Sequence, residues 1–272
     1  MSNWSGIVRS RIALTKRTLR DRGLRYYMSA TMAKDRDSDH TPAPVSGRSE
    51  IDAFLDKARG LSATATRAAP GTRARLIFAL DATLSRQPMW DIACQLQTEM
   101  FREAAAIGGL DIQLVYYRGM SECRASRFVS DGRALADLMG AIECRGGVTQ
   151  IGKVLAHARR EDERQKVQAL VFVGDAMEET VDHLCSVAGE LGLRAVPAFV
   201  FQEGSDPIAT NAFREIARLT GGAHCRFDPG AAHELAELLR AVAAYAAGGL
   251  KALADLSARQ GAGAAKLLQQ MR

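Results

Sequence analysis

The sequence predicts an α/β domain built on a doubly wound, mostly parallel sheet of about six strands with helices on both faces. Three observations carry this prediction. Between residues 75 and 246, short continuous apolar runs alternate with longer amphipathic stretches, the pattern of parallel strands joined by crossover helices. The chain has 272 residues, 47% hydrophobic and 25% charged, enough for one sizeable core and unlike a disordered or collagen-like chain. Its five cysteines (Cys94, Cys123, Cys144, Cys185, Cys225) are scattered with no C-x-x-C pair, which argues against a disulfide framework or a zinc knuckle.

Residues 1–47 read as a basic, flexible N-terminal arm ending in Thr41-Pro-Ala-Pro-Val-Ser-Gly47, a linker composition. In residues 48–72, the apolar positions Ile51, Phe54, Leu55, Ala58 and Leu61 fall on one face of a short helix, followed by more linker. The domain proper is expected over residues 73–246. Leu76-Ile-Phe-Ala-Leu80, ending at Asp81, is a buried strand. A helix from Pro88 to Ile107 follows, with its proline in the first turn. Asp111–Tyr117 is a strand, Ser126–Ser130 a short edge strand and Gly132–Ile142 a helix. Helices over Gln150–Arg164, Glu179–Leu191, Pro207–Leu219 and Ala231–Ala246 then alternate with strands over Val167–Val173, Arg194–Phe201 and Ala223–Phe227. Residues 247–272 are expected to be a C-terminal tail holding one loose helix and a frayed end.

The net charge of +5 is unevenly distributed. Residues 1–31 carry seven basic side chains (Arg9, Arg11, Lys16, Arg17, Arg20, Arg22, Arg25) and one acid, Asp21, giving +6, so the other 241 residues sum to −1. A tail of this kind is drawn to phosphate or anionic lipid, but the body has no net positive field, so nucleic-acid binding by the folded domain is not expected. No run reaches the ~18 apolar residues of a membrane span. No apolar signal core precedes a cleavage site. The Arg-rich start also fits a transit peptide, or an upstream start before Met28 or Met32, but with the cysteine usage the expected location is cytoplasmic.

In such sheets ligands bind beyond the carboxyl ends of the strands, where strand order reverses. Three segments supply chemistry there: Asp81-Ala-Thr83-Leu-Ser85 after the first strand, Gly146-Gly-Val-Thr149 before the middle helix, and Gly174-Asp175-Ala-Met-Glu178-Glu179 after the Val167–Val173 strand. If the first and fourth strands are neighbours, ~4.8 Å apart, Asp81 and Asp175 can share a cation. All-oxygen donors suit Mg²⁺ or Mn²⁺, and two close carboxylates repel without a cation or proton between them. Taken singly, Asp81 and Thr149 also read as helix caps. Glu178 and Glu179 either add negative charge at the rim of this site or sit in the first turn of the next helix, favouring its dipole.

The set Asp81-x-Thr83-x-Ser85, Thr149 in Gly-Gly-Val-Thr-Gln-Ile-Gly, and Asp175 after Val-Phe-Val-Gly resembles the von Willebrand factor type A (VWA) domain with its metal-ion-dependent adhesion site (MIDAS). The likeness covers roughly residues 73–245. It implies a six-stranded sheet with one antiparallel edge strand, with Thr83, Ser85 and Thr149 as hydroxyl ligands and Asp81 and Asp175 binding the metal directly or through water. It further implies that a partner protein completes the metal shell with an Asp or Glu. The expected function is therefore cation-dependent protein–protein recognition with no catalysis and no small-molecule substrate. Two departures from the family matter: Thr83 where serine is usual, and Leu84 and Arg86 flanking Ser85, where small or apolar residues are usual. Arg86 either holds an acidic partner, weakens the site by repulsion, or is a solvated helix-start residue.

Rival readings are specific. A haloacid-dehalogenase-like, Mg-dependent phosphotransferase would use Asp81 as nucleophile and Lys153 to steady charge, although Thr83 replaces the acid that protonates the leaving group. A VWA scaffold with a degenerate, metal-free site is the other alternative. Gly147-Val-Thr-Gln-Ile-Gly152-Lys153-Val154 nearly matches a phosphate loop but lacks its final hydroxyl. His224 reads as a core or surface residue and not a catalytic one, and Trp90 as core packing, a candidate interface anchor only if it faces outward.

Overall fold

The computed structural model describes residues 73–228, 231–259 and 261–271. The expected helix at Ile51–Leu61 and the N-terminal arm lie outside the described residues. Within them, strand β1 (Ala74–Asp81) is followed by a 3-10 turn (Leu84–Arg86) and helix α1 (Gln87–Ala105), then by β2 (Leu110–Arg118), β3 (Glu122–Val129) and α2 (Gly132–Gly140). Helix α3 (Ile151–Arg164), β4 (Ala169–Gly174), α4 (Val181–Leu193), β5 (Ala198–Glu203), α5 (Pro207–Thr220), β6 (Ala223–Phe227), α6 (Ala232–Arg259) and α7 (Ala262–Gln270) complete it.

The six strands form one sheet in the order β3-β2-β1-β4-β5-β6. All pairings are parallel except β2 with β3, so the doubly wound architecture and the antiparallel edge strand are both present. Strand alternation divides the core. Leu76, Phe78 and Leu80 face a cluster built with α1, α2, α6 and α7, whereas Ile77 and Ala79 face one built with α3, α4 and α5. Every residue of β1 is buried because helices cover both faces. Strand order reverses between β1 and β4, and Leu80 lies opposite Val173, which brings Asp81 and Asp175 to the same sheet edge.

Helix ends follow local chemistry. The Asp131 carboxylate accepts from the Ala134 N–H at the start of α2. Asp206 does the same for Ala209 ahead of Pro207 on α5, and Gly221 closes α5 in the left-handed conformation at φ 71°.

Two expectations are corrected. The edge strand is Glu122–Val129, longer than Ser126–Ser130. Its outward face carries charged residues that hide the strand pattern, and it follows a tight turn through Gly119 at φ 62°. The C-terminal segment is not loose. Helix α6 continues past residue 246, bending where Gly249 takes φ 69°. Leu253, Leu256, Ala264 and Leu267 of α6 and α7 then bury against the α1 side of the core. Gln270 of α7 covers the β6 edge, its side-chain amide accepting from the His224 N–H and donating to the His224 carbonyl, each at 2.8 Å.

Candidate functional site

All five sequence-selected residues come together. Asp81, Thr83, Ser85, Thr149 and Asp175 line one groove of about 200 Å³ with Leu84, Gly146, Gly147, Ala176 and Glu178. The groove sits at the switch point between β1 and β4, where this fold class places ligands.

Asp81 is 3% exposed and does not cap a helix. Its Oδ1 accepts the Thr83 N–H at 2.7 Å, which turns the chain so that Thr83 Oγ1 and Ser85 Oγ lie 3.4 Å apart. Burial, and then the Asp175 charge, raise the Asp81 pKa above the ordinary carboxylate value, against the opposing pull of the Thr83 bonds and Arg86. Tyr117, opposite Asp81 in the sheet, is fully buried. Its phenol pKa lies well above the usual value through burial and the Asp81 charge. Its hydroxyl makes no hydrogen bond of full geometry among the described residues, although it lies close enough to the Asp81 carboxylate to interact with it.

Thr149 is likewise no cap. Its N–H donates to Glu178 Oε2 at 2.8 Å, and its Oγ1 accepts the Glu178 N–H at 3.1 Å. This reciprocal pair locks the Gly146–Thr149 loop to the loop after β4, and leaves the threonine oxygen a second lone pair to offer. The loop is held from below as well, because Arg145 N–H donates to Ala82 O and Val148 N–H to Gly119 O. Gly147 is required there, since a Cβ would meet the Gly119 backbone at 2.3 Å.

The two glutamates do not occupy the first turn of α4; both precede its N-cap, Thr180. Glu179 serves a different helix. Its carboxylate accepts the N–H groups of Ile151 and of Gly152, the latter at 3.0 Å, satisfying the start of α3, whose N-cap Gln150 makes no side-chain cap bond. The Glu179 charge therefore favours the dipole of α3 and not that of α4.

Arg86 is not a solvated helix-start residue. It is 3% exposed, is ion-paired through Nη1 with Glu203 at the end of β5, and stands 3.7 Å from Asp175 Oδ2. Sequence reasoning missed this depth and the part of Glu203.

Other candidates fall away from the groove. Lys153 Nζ donates to Ser121 O and Gln150 Oε1 and does not line the groove. Trp90 is buried with Nε1 donating to Met139 O at 3.2 Å, so it is a core residue and no interface anchor. The His224 ring is buried against Gln202 Oε1 at 3.0 Å, with its pKa lowered to about 4 by burial and then by Arg214 and Arg226.

In kind, the groove fits a hard divalent cation: two carboxylates, one buried, and three hydroxyls supply oxygen donors only. Among the described residues no group of three or more His, Cys, Asp or Glu side chains is placed to hold a metal, so the fit depends on the hydroxyls. Chemically, a cation here would satisfy the Asp81–Asp175 pair and present a Lewis-acidic face to an incoming oxygen.

The class defined is thus a doubly wound α/β domain with an oxygen-lined groove at its switch point. No protein-family model matches the sequence, and no curated protein matches it. Solved structures of related fold include the SpRpn10 VWA domain, at 11% identity and a TM-score of 0.49 over 61% of this chain and 95% of that one. They also include proximal thread matrix protein 1 from the mussel byssus with a zinc-occupied MIDAS motif, at 15% identity and a TM-score of 0.48 over 64% of this chain and 45% of that one. The PilB minor pilin of Streptococcus sanguinis is similar at 10% identity and a TM-score of 0.47, over 63% and 60%. At these identities the likeness concerns the fold alone.

Proposed function

We propose that this domain is a divalent-cation-dependent protein-recognition module. Mg²⁺ or Mn²⁺, held by Asp81, Thr83, Ser85, Thr149 and Asp175, would bridge to an Asp or Glu of a partner protein. The observation that carries this reading is the convergence of all five oxygen donors, from three separate loops, in one open groove. The rim supports protein docking: Leu84 lines the groove at 65% exposure, and Met120, next to the Gly119 that contacts Gly147, is also exposed. Exposed apolar side chains beside a charged contact exclude water from it when a partner docks, as the contacts around interface hot spots do.

We read the site as binding and not catalytic. Among the described residues no histidine lines the groove, and Lys153, which phosphotransfer chemistry would need, is turned to Ser121 and Gln150. We also propose a reducing, cytoplasmic setting, which the scattered cysteines, with no C-x-x-C pair, support. Among the described residues no helix is long and apolar enough to cross a membrane. The metal-free scaffold is the second reading, and one observation favours it: Arg86 already supplies Asp175 with a positive neighbour.

The test is calorimetric titration of metal-free protein with Mg²⁺ and Mn²⁺, beside Thr149→Ala. One-to-one binding that disappears in the variant supports the adhesion site. No heat with either ion leaves the scaffold. Binding indifferent to Thr149→Ala moves the ion to Asp81 and Asp175 alone and reopens the phosphotransfer reading.

A further inference from the structure

A buried guanidinium lies beneath the groove in an unusual state. Arg86 Nη1 is shared between Glu203 and, at 3.7 Å, Asp175 Oδ2, while Nε and Nη2 are buried without a hydrogen-bond partner among the described residues. Unmet buried donors on a charged group are unfavourable, so Arg86 is held between acceptors and not saturated by either. Asp175 is 32% exposed at its side chain and Glu203 13%. One of Arg86's two acids therefore faces the groove, and the other lies deeper.

Asp175 has two claimants: a cation in the groove and the guanidinium fixed behind it. Two positive charges converging on one carboxylate repel each other, strongly where water is scarce. Resting on the metal reading above, we propose that Arg86 is a tethered counter-ion that competes with the divalent cation for Asp175, and that Glu203 governs the competition by holding Arg86 back. With Glu203 ionised, the guanidinium charge is offset and Asp175 is free to serve the groove. With Glu203 replaced by a neutral residue, Asp175 is the one ion-pair partner left to Arg86 among the described residues, and Arg86 leans on it. The site's affinity is then set by a residue pair that touches no metal.

Two substitutions in one ion pair are expected to act in opposite directions. Calorimetric titration with Mg²⁺ should show Arg86→Met binding at least tenfold more tightly than the unaltered protein, and Glu203→Gln binding at least threefold more weakly. A merely structural pair would lower affinity in both. The double variant Arg86→Met/Glu203→Gln removes both charges and leaves a neutral, well-filled site, so it is the variant that tolerates folding best. If Glu203 acts through Arg86, Glu203→Gln has little effect once Arg86 is methionine. If it acts only as a distant negative charge, it weakens binding equally in both backgrounds, which overturns the proposal. The comparison of the double variant with Glu203→Gln still decides the matter if Arg86→Met alone fails to fold, as checked by circular dichroism. Equal affinity in the unaltered protein and Arg86→Met, with Thr149→Ala still abolishing binding, sinks the counter-ion and leaves the metal site standing. Absence of Mg²⁺ binding in every variant sinks both.

Discussion

The two ends of the central strands bury comparable amounts of charge and treat it in opposite ways. At the start of β1, the Arg75 N–H donates to Gln168 Oε1, and its guanidinium donates to Gln165 O and to Glu161 Oε2 at 3.0 Å while stacking 3.9 Å from the Phe128 ring centroid. Nearby, Asp162 accepts from the Val167 N–H and from Arg194 Nε, each at 2.9 Å. None of the buried side-chain atoms of Arg75, Glu161 or Asp162 lacks a partner, and Arg159 Nε, which reaches this network through Glu163, is the exception beside them. At the far end, Arg86 Nε and Nη2 lack a partner and the Tyr117 hydroxyl makes no hydrogen bond of full geometry, and Asp81 is a buried carboxylate with a raised pKa. A closed network stabilises the fold, whereas an open one beside a groove keeps capacity for something that arrives later.

The closed end should give the largest stability effect. Arg75→Ala leaves Glu161 Oε2 and Gln165 O without their guanidinium partner, and breaking a buried ion pair from one side is expected to cost about 3–5 kcal/mol, read as a drop in urea midpoint. Mg²⁺ affinity should stay within about twofold of the unaltered protein, because the groove lies at the other end of β1. A tenfold loss of affinity would mean that the two ends are not independent.

A second closed cluster sharpens the contrast through pH. His224 Nε2 meets Gln202 Oε1, which also accepts from the Thr210 hydroxyl at 2.9 Å. The folded-state pKa, about 4, lies below the unfolded value of ~6.5, so the unfolded chain binds the proton first. The stability from keeping this ring neutral is therefore full above about pH 6.5 and is lost as pH falls toward 4. With the ring edge partly screened by solvent, the loss should be about 2 kcal/mol. Urea midpoints at pH 7.5 and 4.5 should differ by less in His224→Gln. An unchanged difference would assign the acid sensitivity to other groups.

What the sequence revealed follows the same division. Strands β1, β4 and β5 were legible because burial on both faces makes them continuous apolar runs, and the five groove residues because they lie just past such runs or just before a helix. Glu122–Val129 was only half legible, since an edge strand solvated on its outer face does not keep its apolar run. Gly248-Gly249 reads as a stop, but the left-handed Gly249 bends the helix and the chain packs on. The Thr149–Glu178 lock, the capping of α3 by Glu179 and the burial of Arg86 are contacts between distant loops, which spacing alone cannot reveal. Thr149 reads as a cap in the sequence, but α3 opens after Gln150, which makes no side-chain cap bond, so its free N–H groups take an acceptor from elsewhere.

Thr149→Ala tests that lock at a smaller scale. It removes the acceptor of the Glu178 N–H, a half-buried bond whose loss should cost about 1 kcal/mol while removing cation binding altogether. A loss above 3 kcal/mol would mean that Thr149 mainly holds the two loops together.

The smallest effect is the most discriminating between the two ends. Tyr117→Phe deletes a buried hydroxyl that makes no hydrogen bond of full geometry among the described residues, with nothing else changed in size or shape beyond one oxygen. If the open end is open in solution, the substitution removes a desolvated polar group and should be neutral or stabilising by up to about 1 kcal/mol. The same deletion in a closed network would destabilise, because the partner left behind would be the orphan. Denaturant unfolding of Tyr117→Phe without added metal reads the sign directly. A loss of more than about 1 kcal/mol would show that the hydroxyl is satisfied, and with it the distinction between a closed structural end and an open functional end would fail.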